Sequence, residues 1–394
     1  MRFDVDTRPR LALLDMDTRR YRVLFEDAAD GRYLSTGHLL FMRQGTLMGA
    51  RFDPDRKEAI GQPVELVKSV IQTLGVNNST PSGQFSVSAT GSLVYAGGDF
   101  ELDPSFQLVW VDHRGIELPV TDKMFPFSFP RLSPDGQKIA YIAWGRERQL
   151  RVYDLIRGTN SRLTSEGRAT FPIWSPDGKR ILFMWHRALD GNLNWQLYDG
   201  SSPMERLTTS DDQQMPGSWA ADGKTVAIVE THPETGYDIC LLDVESKSVK
   251  PFLHSQFHET YPDFSPDGGW LAYSSNETKQ NEVYVRPFPK SDSKYPVSNE
   301  GGSHPLWARD GKRLYYRRLN QVWVVEVQKT VDSFSTSKPR LLFEKAGYLG
   351  SSPIRGWDLS LDGQRFLMVR QDQRNPAPVT EFNFIQNWFE ELKK

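Results

Sequence analysis

The amino-acid sequence predicts an all-β protein: a single closed β-propeller of four-stranded antiparallel blades, eight-bladed on the first reading and seven-bladed on the alternative. Three observations lead there. Phe171-Pro-Ile-Trp-Ser-Pro-Asp-Gly178 recurs almost letter for letter as Phe129–Gly136 and Tyr261–Gly268, with weaker copies ending at Gly37, Gly91, Gly223, Gly311 and Gly363. From Gly91 to Gly311 the spacings are 45, 42, 45, 45 and 43 residues, a fixed period of the kind that marks a repeat architecture. Around each copy, four short runs rich in apolar and β-branched residues supply four strands per repeat.

Each element of the unit has a local reason. Pro134 presets φ for the first central position of a tight turn, Asp135 suits the second, and Gly136 takes the left-handed conformation that a β-carbon resists. Ser133-Pro-Asp-Gly136 is therefore a hairpin turn leading into a strand from Lys138 to Trp144. The equivalent strands read Ile181–Met184, Val226–Val229, Leu271–Tyr273, Leu314–Tyr316 and Phe366–Val369. A third strand follows at Leu150–Asp154, Ile239–Asp243, Val283–Val285 and Val322–Val325, and a fourth at Arg162–Thr164, Arg206–Thr208 and Arg340–Phe343. The aromatic series Trp174, Trp219, Phe264 and Trp307, at one fixed place per repeat, reads as packing between blades.

The chain begins in the middle of a unit. Leu11–Asp15 and Tyr21–Phe25 match third and fourth strands with no first or second before them. Open sheet edges favour association, and propellers avoid one by building a blade from both chain ends. The expected organisation is thus one domain over 1–394: closing strands in 1–28, seven blades in 29–350, and the last blade with the tail in 351–394. Residues 10–26 are expected to complete the blade at 355–370; the tail 379–386 is the competing candidate for its third strand. Residues 371–378 form a polar, proline-broken loop.

Charge is balanced, with 48 basic and 50 acidic residues and a formal net charge of −2, so nothing points to nucleic acid or an anionic membrane. The single cysteine, Cys240, sits in an apolar run and reads as a small buried hydrophobe. No run reaches the 18 apolar residues of a membrane helix, and the charged start Met1–Arg8 has no signal-peptide core. The expected chain is monomeric and, as written, cytoplasmic.

The Ser-Pro-Asp-Gly hairpins preceded by Pro-x-aromatic resemble the propeller repeat of the TolB and tricorn-protease type, a relative of the WD repeat, over residues 33 to 370. A narrower resemblance lies in Gly37–Met48 and in Asn387–Lys393. These are similar to the propeller half of bacterial, chiefly acidobacterial, membrane serine/threonine kinases. That resemblance implies a detached sensor domain, extracytoplasmic in a membrane kinase, and carries no kinase activity to this chain.

Catalytic motifs are missing. There is no Gly-x-Ser-x-Gly elbow, no phosphate-binding Gly-rich loop and no His-Arg-Asp. His254 and His258 lie in a connection where extended chain sets them about 13 Å apart, too far to share a metal. Asp15, Asp17, Asp53 and Asp55 read as turn formers rather than a calcium loop. No cofactor or metal is expected. One constellation repeats in phase: Ser128, Thr170, Thr260 and Ser303 stand two places before the unit's proline, at the start of the strand that lines a propeller channel. Glu259 and His304 lie beside them. The expected ligand site is this channel rim (Ser128, Thr170, Glu259, Thr260, Ser303 and His304), on a polar axis with room for a ligand. Local capping of backbone groups by the same hydroxyls is the competing reading. The expected function is a non-catalytic protein- or peptide-binding scaffold or sensor; the alternative is a propeller lyase or hydrolase with a channel site.

Overall fold

The computed structural model describes residues 9–74, 82–98, 101–102, 106–121, 127–143, 148–186, 191–289, 293–330, 333–371, 379 and 381–393. Trp144, the start Met1–Arg8 and most of the 371–378 loop fall outside them. The chain is almost wholly β, and it divides into two compact units, 1–5 with 105–372 and 6–104 with 373–394.

In the 105–372 unit five sheets follow in chain order. The first runs Phe127–Leu132, Lys138–Ala143, Gln149–Asp154 and Asn160–Arg162; the second Arg168–Trp174, Arg180–His186, Asn192–Leu197 and Glu205–Arg206. The third runs Gln214–Trp219, Thr225–His232, Gly236–Asp243 and Ser248–Leu253. The fourth runs Glu259–Phe264, Trp270–Ser275, Glu282–Pro287 and Tyr295–Pro296, and the fifth starts Ser303–Trp307, Arg313–Arg318 and Gln321–Lys329. Neighbours pair antiparallel throughout. The sixth sheet takes Asp358–Leu359 and Arg365–Gln371 from the C-terminal side and Phe106–Asp112 and Glu117–Pro119 from the N-terminal side, with Val109 opposite Met368.

The turn chemistry is as the residues dictate. Gly136, Gly178, Gly268 and Gly363 sit at φ of 67 to 73°, each amide bonded back to the serine three residues earlier. In each of these turns the serine hydroxyl also donates to the aspartate, as Ser175 Oγ does to Asp177 Oδ1 at 2.6 Å.

Alternating apolar residues on the two faces of each sheet pack it on its neighbours. Ile142 and Leu150 meet Ala169 and Phe183; Leu182 meets Ile228; Ala227 meets Leu271; Ala272 meets Leu314. Tyr315 then packs with Phe366 and Val109, and Leu367 and Leu108 pack with Phe127 and Tyr141. Contacts therefore run from each sheet to the next and from the sixth back to the first. The first strands of successive sheets adjoin one another. Trp174 Nε1 donates to Arg131 O at 3.0 Å and Trp307 Nε1 to Asp263 O at 3.2 Å, so these tryptophans join neighbouring sheets, as expected.

The 6–104/373–394 unit holds a four-stranded sheet, Ala29–Leu34, His38–Arg43, Thr46–Asp53 and Glu58–Val67. It also holds a three-stranded one in which Phe382–Ile385 pairs with Leu93–Ala96, itself paired with Phe85–Val87. The hairpin Arg10–Leu14 and Tyr21–Glu26 pairs with itself.

Here the expected closure is corrected. Residues 10–26 do not complete the blade at 355–370; that place belongs to Phe106–Asp112. The hairpin instead buries Leu11 and Phe25 against the sheet of residues 29–67, Phe25 stacking on Phe41 at 4.6 Å. The tail does not join the last blade either, because it pairs with Leu93–Ala96. The repeat around Gly91, read as one blade, is split: its first half is completed by the tail and its second half by 358–371.

Candidate functional site

The inner strands of four sheets share one irregularity. Phe129, Phe171, Tyr261 and His304, each directly before a proline, have φ of 50 to 57°. A non-glycine residue in that region is strained, and a residue preceding proline ordinarily stays extended. At each place the strand register slips, between Ser128 and Arg131, Thr170 and Ile173, Thr260 and Asp263, and Ser303 and Leu306. Such bulges re-aim side chains. The four re-aimed rings form two pairs: Phe129 meets Phe171 edge-on at 4.5 Å, and Tyr261 stacks on His304 at 4.0 Å.

Three of the four hydroxyls behind them are tied to their own sheets, while Thr170 Oγ1 is buried without a partner. Ser128 Oγ donates to Ile142 O at 3.1 Å and Thr260 Oγ1 to Ser274 O at 3.5 Å, and Ser128, Thr170 and Thr260 are buried. Ser303 Oγ bonds His304 Nδ1 at 2.7 Å.

The re-aimed pairs close on a stretch of the chain itself. His304 Nε2 donates to Ser351 O at 2.7 Å, the Tyr261 hydroxyl donates to the same oxygen at 2.9 Å, and the Tyr261 amide donates to Pro353 O at 2.9 Å. Arg131 Nη2 donates to Arg355 O at 2.6 Å, and Ile354 is buried among Phe129, Phe171 and Met215. Residues 351–355 thus pack against the strand starts that the sequence assigned to a ligand-binding rim. A carbonyl only accepts, so His304 carries its proton on Nε2 and its Nδ1 accepts from Ser303. Burial, with the positive charge of Arg317 adding to it, lowers the imidazole pKa to about 3, which keeps it in that neutral form.

Below this layer lies a buried charged set. Arg355 pairs with Asp263, whose other oxygen accepts the Trp307 amide at 2.8 Å, and Asp358 Oδ2 accepts the Leu132 amide at 2.8 Å. Burial, and then the Arg355 charge, lower Arg131 to about 9; burial raises Asp263 against the opposing pull of Arg355.

Glu259 stands apart from His304. It is 5% exposed, Oε1 accepts the Ser255 hydroxyl at 2.5 Å, and Oε2 is buried without a partner. Burial raises its pKa to about 7, with the Ser255 bond opposing and the Asp238 charge assisting. Asp238, 3% exposed, accepts His254 Nδ1 at 2.8 Å and Thr235 Oγ1 at 2.6 Å through Oδ2, while Oδ1 is buried and unpartnered. Cys240 is buried and its thiol pushed up by burial and by Glu230, in keeping with its reading as a hydrophobe. Asp15 and Asp53 accept the amides two and three residues on, as turn formers do. Among the described residues no cluster of His, Cys, Asp and Glu has metal-holding geometry, and no helix is long and apolar enough to cross a membrane.

Tyr261 shares its repeat position with His304 and was legible by phase; sequence reasoning missed Arg131 and residues 351–355 beside these rings, and Asp238 and His254 near Glu259.

No family model matches the chain. The chain is 29% identical over 202 residues to the uncharacterized peptidase YuxL of Bacillus subtilis; the match covers 47% of this chain and 28% of the peptidase, so the chain spans about a quarter of that relative. It is 24% identical over 254 residues to an uncharacterized protein of Agrobacterium fabrum, covering 62% of this chain and 84% of the relative. Among solved structures, a TolB protein of Agrobacterium tumefaciens superposes with a TM-score of 0.55 at 19% identity, over 68% of this chain and 98% of that one. The chain thus has the fold of the TolB-type propellers. The likeness to a peptidase corrects the expectation that the chain is not an enzyme: a relative named for catalysis shares 202 residues of aligned sequence with it.

Proposed function

We propose that the 105–372 unit is a closed six-bladed propeller that binds extended peptide segments at the inner ends of its strands, as the substrate-holding part of a peptide-processing system. The observation that carries this is Ser351 O, held at once by Tyr261 and His304, with Pro353 O held by the Tyr261 amide. Bonds aimed at main-chain carbonyls hold a chain largely without regard to its side chains. Ser303, Ser128 and Thr260 support that surface from behind. The likeness to a peptidase supports a peptide as ligand, and the resemblance to kinase propellers makes a peptide signal one source of it. The test is fluorescence anisotropy with labelled acetyl-Gly-Ser-Ser-Pro-Ile-amide on Ile354→Ala, in which residues 351–355 are held less firmly. Saturable binding that Tyr261→Phe with His304→Ala removes is expected; no binding to Ile354→Ala sinks the proposal.

A second reading is a hydrolase or lyase with Glu259 as its acid. Its support is a buried carboxyl with a pKa of about 7, where a general acid serves best at neutral pH. Turnover of a peptide, ester and uronide panel, lost in Glu259→Gln, would bear it out; a panel with no turnover removes it.

A further inference from the structure

Three buried acceptors near the start of the fourth sheet have no partner. Two are Glu259 Oε2 and Asp238 Oδ1; the third is Ser275 Oγ, on a residue 2% exposed. Ser275 lies directly opposite Glu259 in the antiparallel pair, so both side chains leave the same face, with β-carbons roughly 5 Å apart. Asp238 belongs to the neighbouring sheet, and its charge is felt at Glu259. Buried polar atoms without partners are uncommon, and several together mark a place for a bound group.

The charges specify that group. Glu259 has no ion pair among the described residues, and Asp238 has only His254, which is a cation only when protonated. The other charged groups felt at Glu259 are Glu277 and Arg286, and Glu277 already has Lys294 as its partner. Two carboxylates and a hydroxyl, each with a free acceptor, match the three donors of a primary ammonium. In the connection that leads to Glu259, His254 and His258 are exposed.

We propose that Glu259, Asp238 and Ser275 form a binding site for a primary ammonium group, carried by a lysine side chain or a free alkylamine. The site requires no peptide backbone, so it stands or falls separately from the binding of extended segments, whose probe has no amine. Isothermal titration at pH 8 with N-acetyl-lysine methylamide, butylamine and the neutral N-acetyl-norleucine methylamide tests it. Heat from either amine and none from the norleucine compound is expected, the tighter of the two amines naming the source. Binding should be at least tenfold weaker in Glu259→Gln and in Ser275→Ala. A carboxyl titrating near 7 also makes binding about tenfold weaker at pH 6 than at pH 8. Equal binding of the norleucine compound, or no binding of either amine at pH 8, overturns the proposal and leaves these atoms to buried water.

Discussion

Glu117 accepts the Tyr348 hydroxyl at 2.6 Å, which joins the strand Glu117–Pro119 to the segment that precedes the chain's last inner strand. Arg370 Nη1 at 2.6 Å and Lys345 Nζ at 3.0 Å converge on the same carboxylate. One side chain from the N-terminal part of the sixth sheet therefore holds Arg370 of its C-terminal part together with Lys345 and Tyr348 from the stretch before it. Burial pushes this carboxyl up, but the bonds from Tyr348, Arg370 and Lys345 together outweigh it and hold the pKa below the usual value. A depressed carboxyl stabilises the fold above its unfolded pKa, and the effect is lost as pH falls through the folded one. Glu117→Ala should destabilise by about 1–3 kcal/mol at pH 7, with the gap to wild type closing at acid pH. Urea melts at both pH values would show it; an unchanged midpoint at pH 7 would contradict the role given to this residue.

The C-terminal stitch gives a second expectation. Trp388 is buried at 1% exposure beside Leu93 and Leu40, and its amide donates to Gly91 O at 2.7 Å. Trp388→Ala should cost about 3–5 kcal/mol. Hydrogen exchange should rise at Leu93–Ala96, the strand that Phe382–Ile385 covers. Unchanged protection there would argue against the pairing.

The turns test backbone against packing. Gly178 has φ +68° and only ordinary contacts around a would-be β-carbon, so Gly178→Val acts through the backbone, at about 1–3 kcal/mol. Gly191 is buried, and a β-carbon there would meet Met184 Sδ at 2.7 Å. Gly191→Val should therefore cost at least as much. Thermal melts of the two variants decide it.

What was legible in the sequence was local. Ser175-Pro-Asp-Gly178 fixes its turn by the chemistry of four adjacent residues, and Trp174 and Trp307 show their place by phase. Closure was not, because Leu11–Asp15 with Tyr21–Phe25 and Phe106–Asp112 with Glu117–Pro119 are both pairs of short apolar runs. Which of them meets Arg365–Gln371 depends on contacts distant in sequence. Asp238 and His254, 16 residues apart, meet only through the register that sets Ile239 against Leu253. Residues 351–355 carry no repeat motif at all, so nothing announced that this stretch packs against Tyr261 and His304.

Glu259 makes stability fall with rising pH. Its folded pKa of about 7 lies above the ordinary value of 4.5, so between those values the folded state binds more protons than the unfolded one. Stability from this group is full below about pH 4.5 and declines until pH 7 is passed. Glu259→Gln removes the titration and should raise stability at pH 8 by about 1–3 kcal/mol relative to wild type, with little difference at pH 5. A variant less stable than wild type at pH 8 would mean that the carboxylate has a partner in solution.

His304 offers the sharpest test of the packing of residues 351–355. Its neutral ring must donate through Nε2 to Ser351 O and accept at Nδ1 from Ser303. Glutamine has both a donor and an acceptor on one short side chain, whereas alanine has neither. His304→Ala leaves the Ser351 carbonyl with the Tyr261 hydroxyl alone and should cost about 1–3 kcal/mol. Hydrogen exchange should rise at Ile354–Trp357 and stay level in the outer strand Asn160–Arg162. His304→Gln should recover part of the lost protection. Nitrogen-15 shifts of the wild-type ring should keep the Nε2–H tautomer from pH 8 down to pH 5, because burial holds this imidazole far below its ordinary pKa. A ring that takes up a proton near pH 6.5 would show that residues 351–355 part from His304 in solution.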